Sequence, residues 1–519
     1  MELRNLPIGI QTFEDIVTGD FMYIDKTGYV HELAESYRYV FLSRPRRFGK
    51  SLLSSTFLGY FSGKKELFDG LKAGQLKTEW RRHPVLYFDM STAKHMNDTQ
   101  LLSELDKKLS AYEQVYGRGD KDVYVNQRLE GIVQRAAEKT GEKVVIIIDE
   151  YDAPLLDVIN DKAGIEPMRQ IMRNFYSPIK SLDPYLQFVF ITGINKFAQL
   201  SIFSELNNLQ DISMMPEYSA VCGISQAELE DSLMPYVHRL AEAEEVSDAR
   251  ALAILKENYD GYHFSYRSED IYNPFSLFKS LNNRSIGSYW FETATPSYLV
   301  ERLKWHPIDS RELDRMEYVS LDEFNVSPEV TDYPVPLLYQ TGYLTIKGYD
   351  KEFDSYTLGY PNREVRTGFI KSLLSGNGDA VSSSSFVVRF SAALKNGDVD
   401  DALSRLQSFL AGMPNDLENK TEKHYQTVIY LVFALLGYYI RTEEKSAVGR
   451  ADAVCWTEDS IYVFEFKVDS TAETALQQID EKGYMVPYAF ENGKRLVKIG
   501  VNISTKTRTL ERWIVKVVK

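Results

Sequence analysis

Residues 38–54, RYVFLSRPRRFGKSLLS, decide how the rest of this chain is interpreted. Tyr39 to Leu42 predicts a β-strand, a polar loop follows, and Lys50 opens a segment with helical spacing. A phosphate-binding loop needs this order, because a helix N-terminus faces the anion, a lysine reaches the β- and γ-phosphates, and a hydroxyl binds Mg2+. Arg44 stands where that pattern usually has glycine, so a basic surface turn stays open as the alternative. The candidate nucleotide-binding residues of this stretch are Arg47, Phe48, Gly49, Lys50 and Ser51.

Two later apolar runs end in polar groups that suit the same chemistry. Residues 143–151, KVVIIIDEY, predict a central strand of a parallel sheet. Asp149 at its end is expected to hold Mg2+, and Glu150 to polarise an attacking water. The alternative is an acidic pair that only caps the next helix. Residues 186–192, LQFVFIT, predict a further strand, after which Thr192 and Asn195 offer polar groups beside the γ-phosphate. The three runs together predict an NTP-binding α/β domain.

Composition narrows the class of protein. A chain of 519 residues is too long for one core, so two or three domains are expected. Only Cys222 and Cys455 are present, which argues against a disulfide framework or a thiolate metal cluster and favours a cytoplasmic location. The longest apolar stretch, residues 427–440, is shorter than the roughly 20 residues that span a bilayer. No signal peptide is recognised at the N-terminus, and no membrane partner is expected.

Charge is distributed unevenly along the chain. The net charge is −14, yet residues 381–519 carry 18 basic and 18 acidic side chains, so the whole excess of acid lies in the first 380 residues. Residues 494–519 hold eight basic residues and one acidic residue, Glu511. This basic strip suits contact with a phosphate backbone. A solvated face on a terminal hairpin explains it equally well.

Periodicity predicts the domain organisation. Val85 to Asp89 reads as another core strand, and residues 101–116 and 125–140 read as helices, which gives a doubly wound sheet. Residues 223–243 and 247–262 then read as helical, Pro334 and Pro336 interrupt a connector, and residues 376–385 (GNGDAVSSSS) read as a linker. We therefore predict an NTP-binding domain at residues 1–215, a helical lid at 216–300, a mixed connector at 301–380 and a further domain at 381–519.

A second group of candidate residues lies after that linker. A helix is predicted from Thr421 to Ile440 with Glu422 in its first turn, and a strand follows Asp452. In the next strand, residues 461–468 (IYVFEFKV), Glu465 and Lys467 are two apart and share one face. A final helix at residues 472–484 presents Gln477 and Gln478.

An acid followed across a hairpin by acid-x-Lys is the layout of a divalent-metal nuclease site. Asp452 and Glu465 would bind Mg2+ or Mn2+ through oxygen, and the metal would polarise the scissile phosphate. Lys467 would position or activate the attacking water and neutralise developing charge. The alternative is a surface Glu/Lys pair on a half-buried strand.

Taken together, these motifs resemble a family of bacterial proteins that join a predicted AAA-type ATPase domain to a C-terminal PD-(D/E)XK nuclease-like domain. The resemblance covers nearly the whole chain and rests on LPIGIQTFE, YIDKT, FLSRPRRFGKS, IIIDEYDAP, FITGINKF, SIFSELNNL, YDGYHFS, IYNPFSL, EKHYQ, GRADAV, YVFEFK and ALQQIDEKGY. It implies a P-loop NTPase-type parallel sheet with a helical subdomain, followed by a restriction-endonuclease-like α/β domain.

The resemblance also implies roles for single residues. Lys50 and Ser51 match the triphosphate and Mg2+ positions, Asp149 and Glu150 match the second acidic motif, and Thr192 ends the sensor-like strand. The nuclease core is matched by Asp452, Glu465 and Lys467, with Glu422 and Gln478 as supporting residues. Arg44 is usual in this family. Ala153 stands where relatives often have a basic residue, and Asn195 where Ser or Thr is common.

These expectations combine into one function. The chain is expected to bind and hydrolyse ATP or another NTP with Mg2+, and to use a Mg2+- or Mn2+-dependent nuclease site on nucleic acid, with DNA favoured over RNA. Defence or mobile-element biology fits this pairing by analogy. The alternative is a nucleotide-dependent switch whose C-terminal domain binds nucleic acid or a protein without cutting. An AAA-type site also suggests a homo-oligomer, although neither Arg46 nor Arg47 is identified as an arginine finger.

Overall fold

The structure is a computed structural model of the 519-residue chain. It describes residues 3–93, 97–156, 158–159, 161, 164–196, 209–291, 299, 312–327, 331, 333–375, 380–411, 422–436, 441–444, 451–489 and 493–519. The chain divides into two compact units, one formed by Met1–Pro307 with Arg315–Val365 and the other by Ile308–Asp314 with Arg366–Lys519. The finer division into four segments stays a prediction.

The N-terminal unit is built on a five-stranded parallel sheet in the order β2-β3-β4-β1-β5. Its strands are β1 (Tyr39–Ser43), β2 (Val85–Asp89), β3 (Val144–Asp149), β4 (Leu186–Gly193) and β5 (Gln210–Asp211). Every residue of β3 is buried, as its unbroken β-branched run predicts. The register places Asp89 beside Asp149 and Ser43 beside Gly193, so the polar strand ends meet at one edge of the sheet.

Helices connect these strands in the predicted places. They are Phe13–Thr18, Thr27–Ser36, Lys50–Phe61, Lys72–Leu76, Asp98–Tyr116, Val125–Thr140, Ala153–Leu156, Ile165–Tyr176 and Pro178–Ser181. Asn97 caps the helix Asp98–Tyr116 by accepting a hydrogen bond from the Gln100 amide. The α/β alternation and the parallel sheet confirm the predicted fold class of this part.

A helical segment with its own apolar core follows the sheet. Its helices are Gln226–Ser232, Met234–Ala243, Asp248–Tyr259 and Pro274–Asn283, and a short antiparallel pair joins β6 (Ile224–Ser225) to β7 (Ile271–Tyr272). Ser225, Ser247 and Asn273 accept hydrogen bonds from backbone amides and so fix three of the helix starts. Leu229, Leu240 and Leu255 lie in the core of this segment.

The predicted connector contains regular structure. A three-stranded antiparallel sheet, ordered β8-β10-β9, consists of β8 (Met316–Val319), β9 (Thr345–Asp350) and β10 (Ser355–Gly359). Short helices are Leu321–Phe324 and Val335–Thr341. The expectation that the two prolines interrupt the chain is wrong, because Pro334 is the N-cap of a helix and Pro336 lies in its first turn, where a missing N–H costs nothing.

The C-terminal unit carries a five-stranded mixed sheet in the order β11-β12-β13-β14-β15. Its strands are β11 (Arg441–Glu444), β12 (Ala453–Trp456), β13 (Ser460–Val468), β14 (Arg495–Ser504) and β15 (Thr509–Val517). Helices are Arg363–Ser375, Ala380–Lys395, Val399–Ala411, Glu422–Leu436 and Ala472–Glu481. Phe433 packs against Phe464 and Phe466 in the core. This α/β arrangement confirms the fold class predicted for the C-terminal part.

Two predicted boundaries of this unit are those of the linker at residues 376–385 and of the helix that was expected to end at Ile440. Residues 376–379 of the predicted linker lie outside the described residues, but residues 380–385 are helical, so a linker is wrong there. The cause is packing: Phe386, Val387 and Phe390 join the core, and the serines before them extend the same helix at small cost. The predicted end of the helix at Ile440 also lies outside the described residues. Among the helices that are described, none combines the length and apolarity needed to cross a bilayer.

Candidate functional sites

The loop between β1 and the helix Lys50–Phe61 is held by its own lysine. Gly49 has φ +90°, a conformation that favours glycine, and the helix starts directly after it. The Lys50 ammonium donates to the carbonyl oxygens of Arg44 and Pro45, both at 3.0 Å. Lys50 is only 6% exposed, and burial lowers its pKa while the carboxylates of Glu150 and Asp149 oppose that change. The lysine thus lies within the loop and close to both acids.

Arg44 supports the outer side of the same loop. Its guanidinium donates to the carbonyl oxygens of Ser43 (2.9 Å), Ser213 (2.7 Å) and Tyr218 (3.1 Å), and it stacks 3.9 Å from the centre of the Phe264 ring. Burial lowers the Arg44 pKa to about 10. Two of these carbonyls, those of Ser213 and Tyr218, belong to the segment after β5, so Arg44 ties the loop to that segment. Arg44 therefore has a structural role at the position where glycine was expected.

Other loop residues are held from the helical segment. Phe48 is buried against Tyr262 and Phe264, with ring centroids 4.7 and 5.4 Å away. The Arg47 guanidinium lies 4.7 Å from the centre of the Phe275 ring. Of the five loop candidates, Phe48 and Arg47 therefore contact aromatic side chains, while Lys50 and Ser51 lie at the helix start.

Asp149 and Ser51 form the oxygen pair expected for a magnesium nucleotide. The Ser51 hydroxyl hydrogen-bonds to the Asp149 carboxylate, and the Tyr87 hydroxyl donates to the same group at 3.3 Å. Burial raises the Asp149 pKa, while the bond from Ser51 and the charge of Lys50 act in the opposite direction. A hydroxyl and a carboxylate are hard oxygen donors, so these residues fit Mg2+. Sequence reasoning missed Tyr87, which is one of many tyrosines in core strands.

The two polar candidates near the end of β4, Thr192 and Asn195, differ in their hydrogen bonding. The Thr192 hydroxyl donates to the Leu42 carbonyl oxygen at 2.7 Å, so its proton is already used between strands. The Asn195 side chain is fully buried, and neither its oxygen nor its nitrogen has a hydrogen-bond partner among the described residues. Glu150 adopts φ +51°, a conformation uncommon for a residue with a side chain. Of the two candidates Thr192 and Asn195, Asn195 is therefore the one whose side-chain polar atoms are not used by a neighbouring strand.

An apolar pocket that is open to solvent lies beside the start of the helix at Lys50, and its empty space, counted together with the adjoining solvent, is about 530 Å3. Its lining is contributed by the N-terminal segment, the helix start and residues 221–224 and 274–278, and includes Tyr23, Ile24, Leu52, Leu53, Cys222 and Phe278. Lys26 at its wall is paired with Glu228 at 2.5 Å.

The C-terminal candidates come together on β12, β13 and the helix Ala472–Glu481. Ala453 pairs with Phe464, which places Asp452 at the level of Glu465 on the neighbouring strand. The Phe466 amide donates to the Asp452 carboxylate at 2.8 Å. Glu465 is 1% exposed, and its Oε1 atom lies 3.2 Å from the Lys467 ammonium. The predicted acid and acid-x-Lys groups are thus neighbours.

Gln478 completes this cluster. Its side-chain amide donates to Glu465 Oε1 at 2.6 Å and to the Tyr484 hydroxyl at 3.3 Å. Tyr484 was not singled out from the sequence, because it follows the helix and nothing in its spacing marks it. Glu422 begins the helix Glu422–Leu436, but its side chain lies outside the described part. Among the described residues, no group of three His, Cys, Asp or Glu side chains is arranged as a metal site. The two carboxylates nonetheless have the oxygen chemistry that Mg2+ or Mn2+ prefers.

Several residues of the predicted basic strip are paired within their own unit. Lys498 pairs with Asp480 at 2.5 Å and Arg512 with Glu473 at 3.0 Å. Lys494 donates to the carbonyl oxygens of Thr457 and Glu458. These contacts reduce the charge that the strip offers to a phosphate backbone.

The geometry defines a two-part protein: a nucleotide-binding type of parallel sheet and a nuclease-like sheet. Comparison with known proteins agrees. Residues 7–203 match the family described as "Predicted AAA-ATPase", and residues 420–513 match the "PD-(D/E)XK nuclease superfamily". The chain is also 33% identical over 532 residues, covering 99% of each chain, to a protein of Azotobacter chroococcum mcd 1 named "Uncharacterized protein in vnfD 5'region". The chain belongs to the family that joins an AAA-ATPase-like domain to a PD-(D/E)XK nuclease-like domain.

Proposed function

We propose that the N-terminal unit binds and hydrolyses ATP or a related NTP. The observation that carries this proposal is that Lys50 and Ser51, at the start of one helix, lie beside the Asp149 carboxylate at the end of β3. The hydroxyl, the carboxylate and the ammonium come from one loop and the end of one strand. Hydrolysis of a phosphoanhydride needs these three groups around the phosphates.

Each residue of this site has a separate role in the proposal. Ser51 and Asp149 would hold Mg2+, which neutralises phosphate charge when bound. Lys50 would exchange its bonds to the loop carbonyls for the β- and γ-phosphates. Glu150 would orient the attacking water, and Asn195 would donate its amide to the γ-phosphate.

The apolar pocket beside the helix start is the proposed location of the base. A purine has flat π faces that pack well against apolar side chains, so its burial against Ile24, Leu52 and Phe278 would contribute binding energy that does not depend on the phosphates. The pocket opens next to Gly49, one residue before the proposed phosphate ligand Lys50.

We further propose that the C-terminal unit is a metal-dependent nuclease. Asp452 and Glu465 would hold Mg2+ or Mn2+, which activates water and polarises the phosphodiester when bound. Lys467 would neutralise charge that develops on the scissile phosphate, and Gln478 would keep the Glu465 carboxylate in place. The substrate is nucleic acid, with DNA favoured over RNA. A cytoplasmic role in bacterial defence or mobile-element biology, with a homo-oligomeric assembly, is the biological setting that we propose.

One observation favours the alternative of a slow nucleotide switch. Lys50 is bonded to two carbonyls of its own loop, so a phosphate must displace those bonds before the lysine can bind it. A switch of this kind would bind ATP, turn it over slowly and regulate a C-terminal domain that binds nucleic acid or a partner without cutting.

Cleavage assays separate these two functions. Single- and double-stranded DNA and RNA are incubated with Mg2+ or Mn2+, with and without ATP, and ATP turnover is recorded in the same samples. The proposed function predicts metal-dependent cleavage together with ATP hydrolysis. Slow turnover without cleavage of any of the four substrates would favour the switch.

A further inference from the structure

Two residues shortly after β3, Tyr151 and Asp152, are bonded directly to the segment that carries Asn195. The Tyr151 amide donates to the Thr192 carbonyl oxygen at 3.0 Å, and the Tyr151 hydroxyl donates to the Asn195 carbonyl oxygen at 2.7 Å. The Asp152 carboxylate accepts from the amides of Ile194 (3.1 Å) and Asn195 (2.7 Å). Backbone groups on both sides of Asn195 are therefore fixed from the 151–152 dipeptide.

The fit between the two segments is close. A β-carbon at Gly193 would lie 2.4 Å from Asp152 Oδ1 and 2.6 Å from a ring carbon of Tyr151. Only a residue without a side chain permits this approach. Tyr151 and Asp152 are both fully buried, so the contact is shielded from water.

Asp152 has a simpler structural explanation, which the contacts do not favour. Its position before the helix Ala153–Leu156 suits a helix cap, but the side chain's hydrogen bonds to other residues go to the amides of Ile194 and Asn195. Burial raises the Asp152 pKa to about 6, which means that burying the charged carboxylate costs folding free energy. The neighbouring charges are Glu150 and Lys50, both proposed members of the ATP site.

Asn195 is close to the phosphate loop. The Arg44 amide, the first of the loop, donates to the Gly193 carbonyl oxygen at 3.2 Å, two residues before Asn195. The buried Asn195 carboxamide has no hydrogen-bond partner for its oxygen or its nitrogen among the described residues. Burying such groups costs folding free energy unless a ligand supplies the hydrogen bonds.

We infer that Asp152 and Tyr151 are positioning residues that hold the Asn195 carboxamide for the γ-phosphate of a bound nucleotide, and so set the preference for ATP over ADP. This inference rests on the proposed nucleotide site. Glu150, which orients the attacking water in the proposed function, directly precedes Tyr151 and Asp152. These two residues bond the segment of Asn195, so the two groups proposed to act at the γ-phosphate are held in place relative to each other.

The test measures the affinities of the full-length protein for Mg-ATP and Mg-ADP by calorimetry. The wild type should bind ATP about tenfold more tightly than ADP, which is the effect of about one hydrogen bond to a charged group. Asp152→Asn turns one acceptor into a donor that faces an N–H group, and it should reduce that ratio to about twofold or less. Asn195→Ala should do the same, and the double variant should lose no more than either single variant, because Asp152 acts through Asn195.

Tyr151→Phe provides a second variant should Asp152→Asn fail to fold, since it removes only the hydroxyl bond to Asn195. It should lower the ratio in the same direction. Tyr259→Phe is the matched control, because that buried hydroxyl bonds the backbone of Gly287 and lies outside the site. It should keep the wild-type ratio.

The outcomes are distinguishable. Three results would overturn the inference. The first is that the losses of Asp152→Asn and Asn195→Ala multiply in the double variant, and the second is that neither Asp152→Asn nor Tyr151→Phe changes the ratio of ATP to ADP affinity. The third is that the control variant loses this ratio. Equal binding of ATP and ADP by the wild type would also overturn it while leaving nucleotide binding intact. A wild type that binds neither nucleotide would remove the proposed nucleotide site, and the inference with it.

Discussion

Gln478 donates its side-chain amide to Glu465 Oε1 across 2.6 Å, from a helix to a neighbouring strand. The same oxygen atom lies 3.2 Å from the Lys467 ammonium. The buried Glu465 carboxylate is thus oriented by two donors, and one of them is exposed enough to reach a substrate. If Glu465 binds a metal as proposed, Gln478 is one of the residues that orient the ligand, and loss of such a residue typically lowers metal affinity or activity about 10- to 100-fold.

Gln478→Ala should lower metal-dependent cleavage about 10- to 100-fold, because the Glu465 carboxylate loses the donor that orients it. Gln477→Ala is the matched control, since the Gln477 amide bonds the exposed Glu481 on the same helix. Rates at saturating substrate, measured over a range of Mn2+ concentrations, provide the test. Equal rates for the two variants would show that Gln478 has no part in the site.

Lys50→Ala should weaken ATP binding by at least about a hundredfold, because the phosphates lose a buried positive charge. The sequence alone predicts that this variant leaves the fold untouched, since the side chain was expected to face ligand. The structure corrects that expectation, because Lys50 is buried and bonds two loop carbonyls. Some loss of stability, about 1–3 kcal/mol, is therefore expected as well.

Lys64→Ala is the control for that experiment, since the Lys64 side chain is partly exposed and pairs with Glu14. Titration calorimetry gives the affinity, and circular dichroism confirms that the folded state persists. A folded Lys50→Ala variant with wild-type ATP affinity would rule out the phosphate-loop assignment.

Leu52→Trp should separate base recognition from phosphate recognition. Leu52 lines the apolar pocket, so a larger side chain there should lower ATP affinity about tenfold or more by excluding the base. Binding of inorganic triphosphate should change little. Leu58→Trp, on the same helix but away from the pocket lining, should leave both affinities unchanged. If Leu52→Trp weakens ATP and triphosphate equally, the pocket does not hold the base.

Asp260 predicts a pH-dependent stability of the N-terminal unit. The residue is 2% exposed, its Oδ1 atom has no hydrogen-bond partner among the described residues, and burial raises its pKa to about 6 from 3.8. Because the folded pKa is above the unfolded pKa, the charged carboxylate destabilises the fold above pH 6, and this cost is lost as the pH falls toward 4. Asp260→Asn should therefore stabilise the unit at pH 8 by about 1–2 kcal/mol.

The same substitution should bring little benefit near pH 4.5, where the folded wild type is already protonated at this residue. Scanning calorimetry at the two pH values measures the difference. An equal gain at both would mean that packing, and not charge, explains the effect.

The sequence predicts the sheet of the N-terminal unit well for a physical reason. A run such as residues 143–151 is apolar on both faces, which only a central parallel strand can bury, and the acids at its end then lie at the ligand edge. The proximity of the C-terminal candidates was predictable from strand geometry, since Glu465 and Lys467 share a strand face and Asp452 directly precedes the neighbouring strand.

Contacts between residues distant in the sequence were beyond such reasoning. Two of the three carbonyl partners of Arg44, those of Ser213 and Tyr218, are more than 150 residues away, so nothing local shows that it ties the loop to that segment. The role of Thr192 depends on its bond to Leu42, which requires the strand order. The helix at Val335–Thr341 was missed because proline interrupts most helices but is tolerated in a first turn.

Cleavage by wild type and Glu465→Ala, with and without ATP, tests the central proposal most directly. Glu481→Gln is the control, an exposed acid on the helix that carries Gln478. We predict Mg2+- or Mn2+-dependent cutting of DNA by the wild type and by the control, stimulated by ATP, and its loss in Glu465→Ala. Cutting that persists in Glu465→Ala, or no cutting by the wild type with either metal on DNA or RNA, would contradict the nuclease assignment.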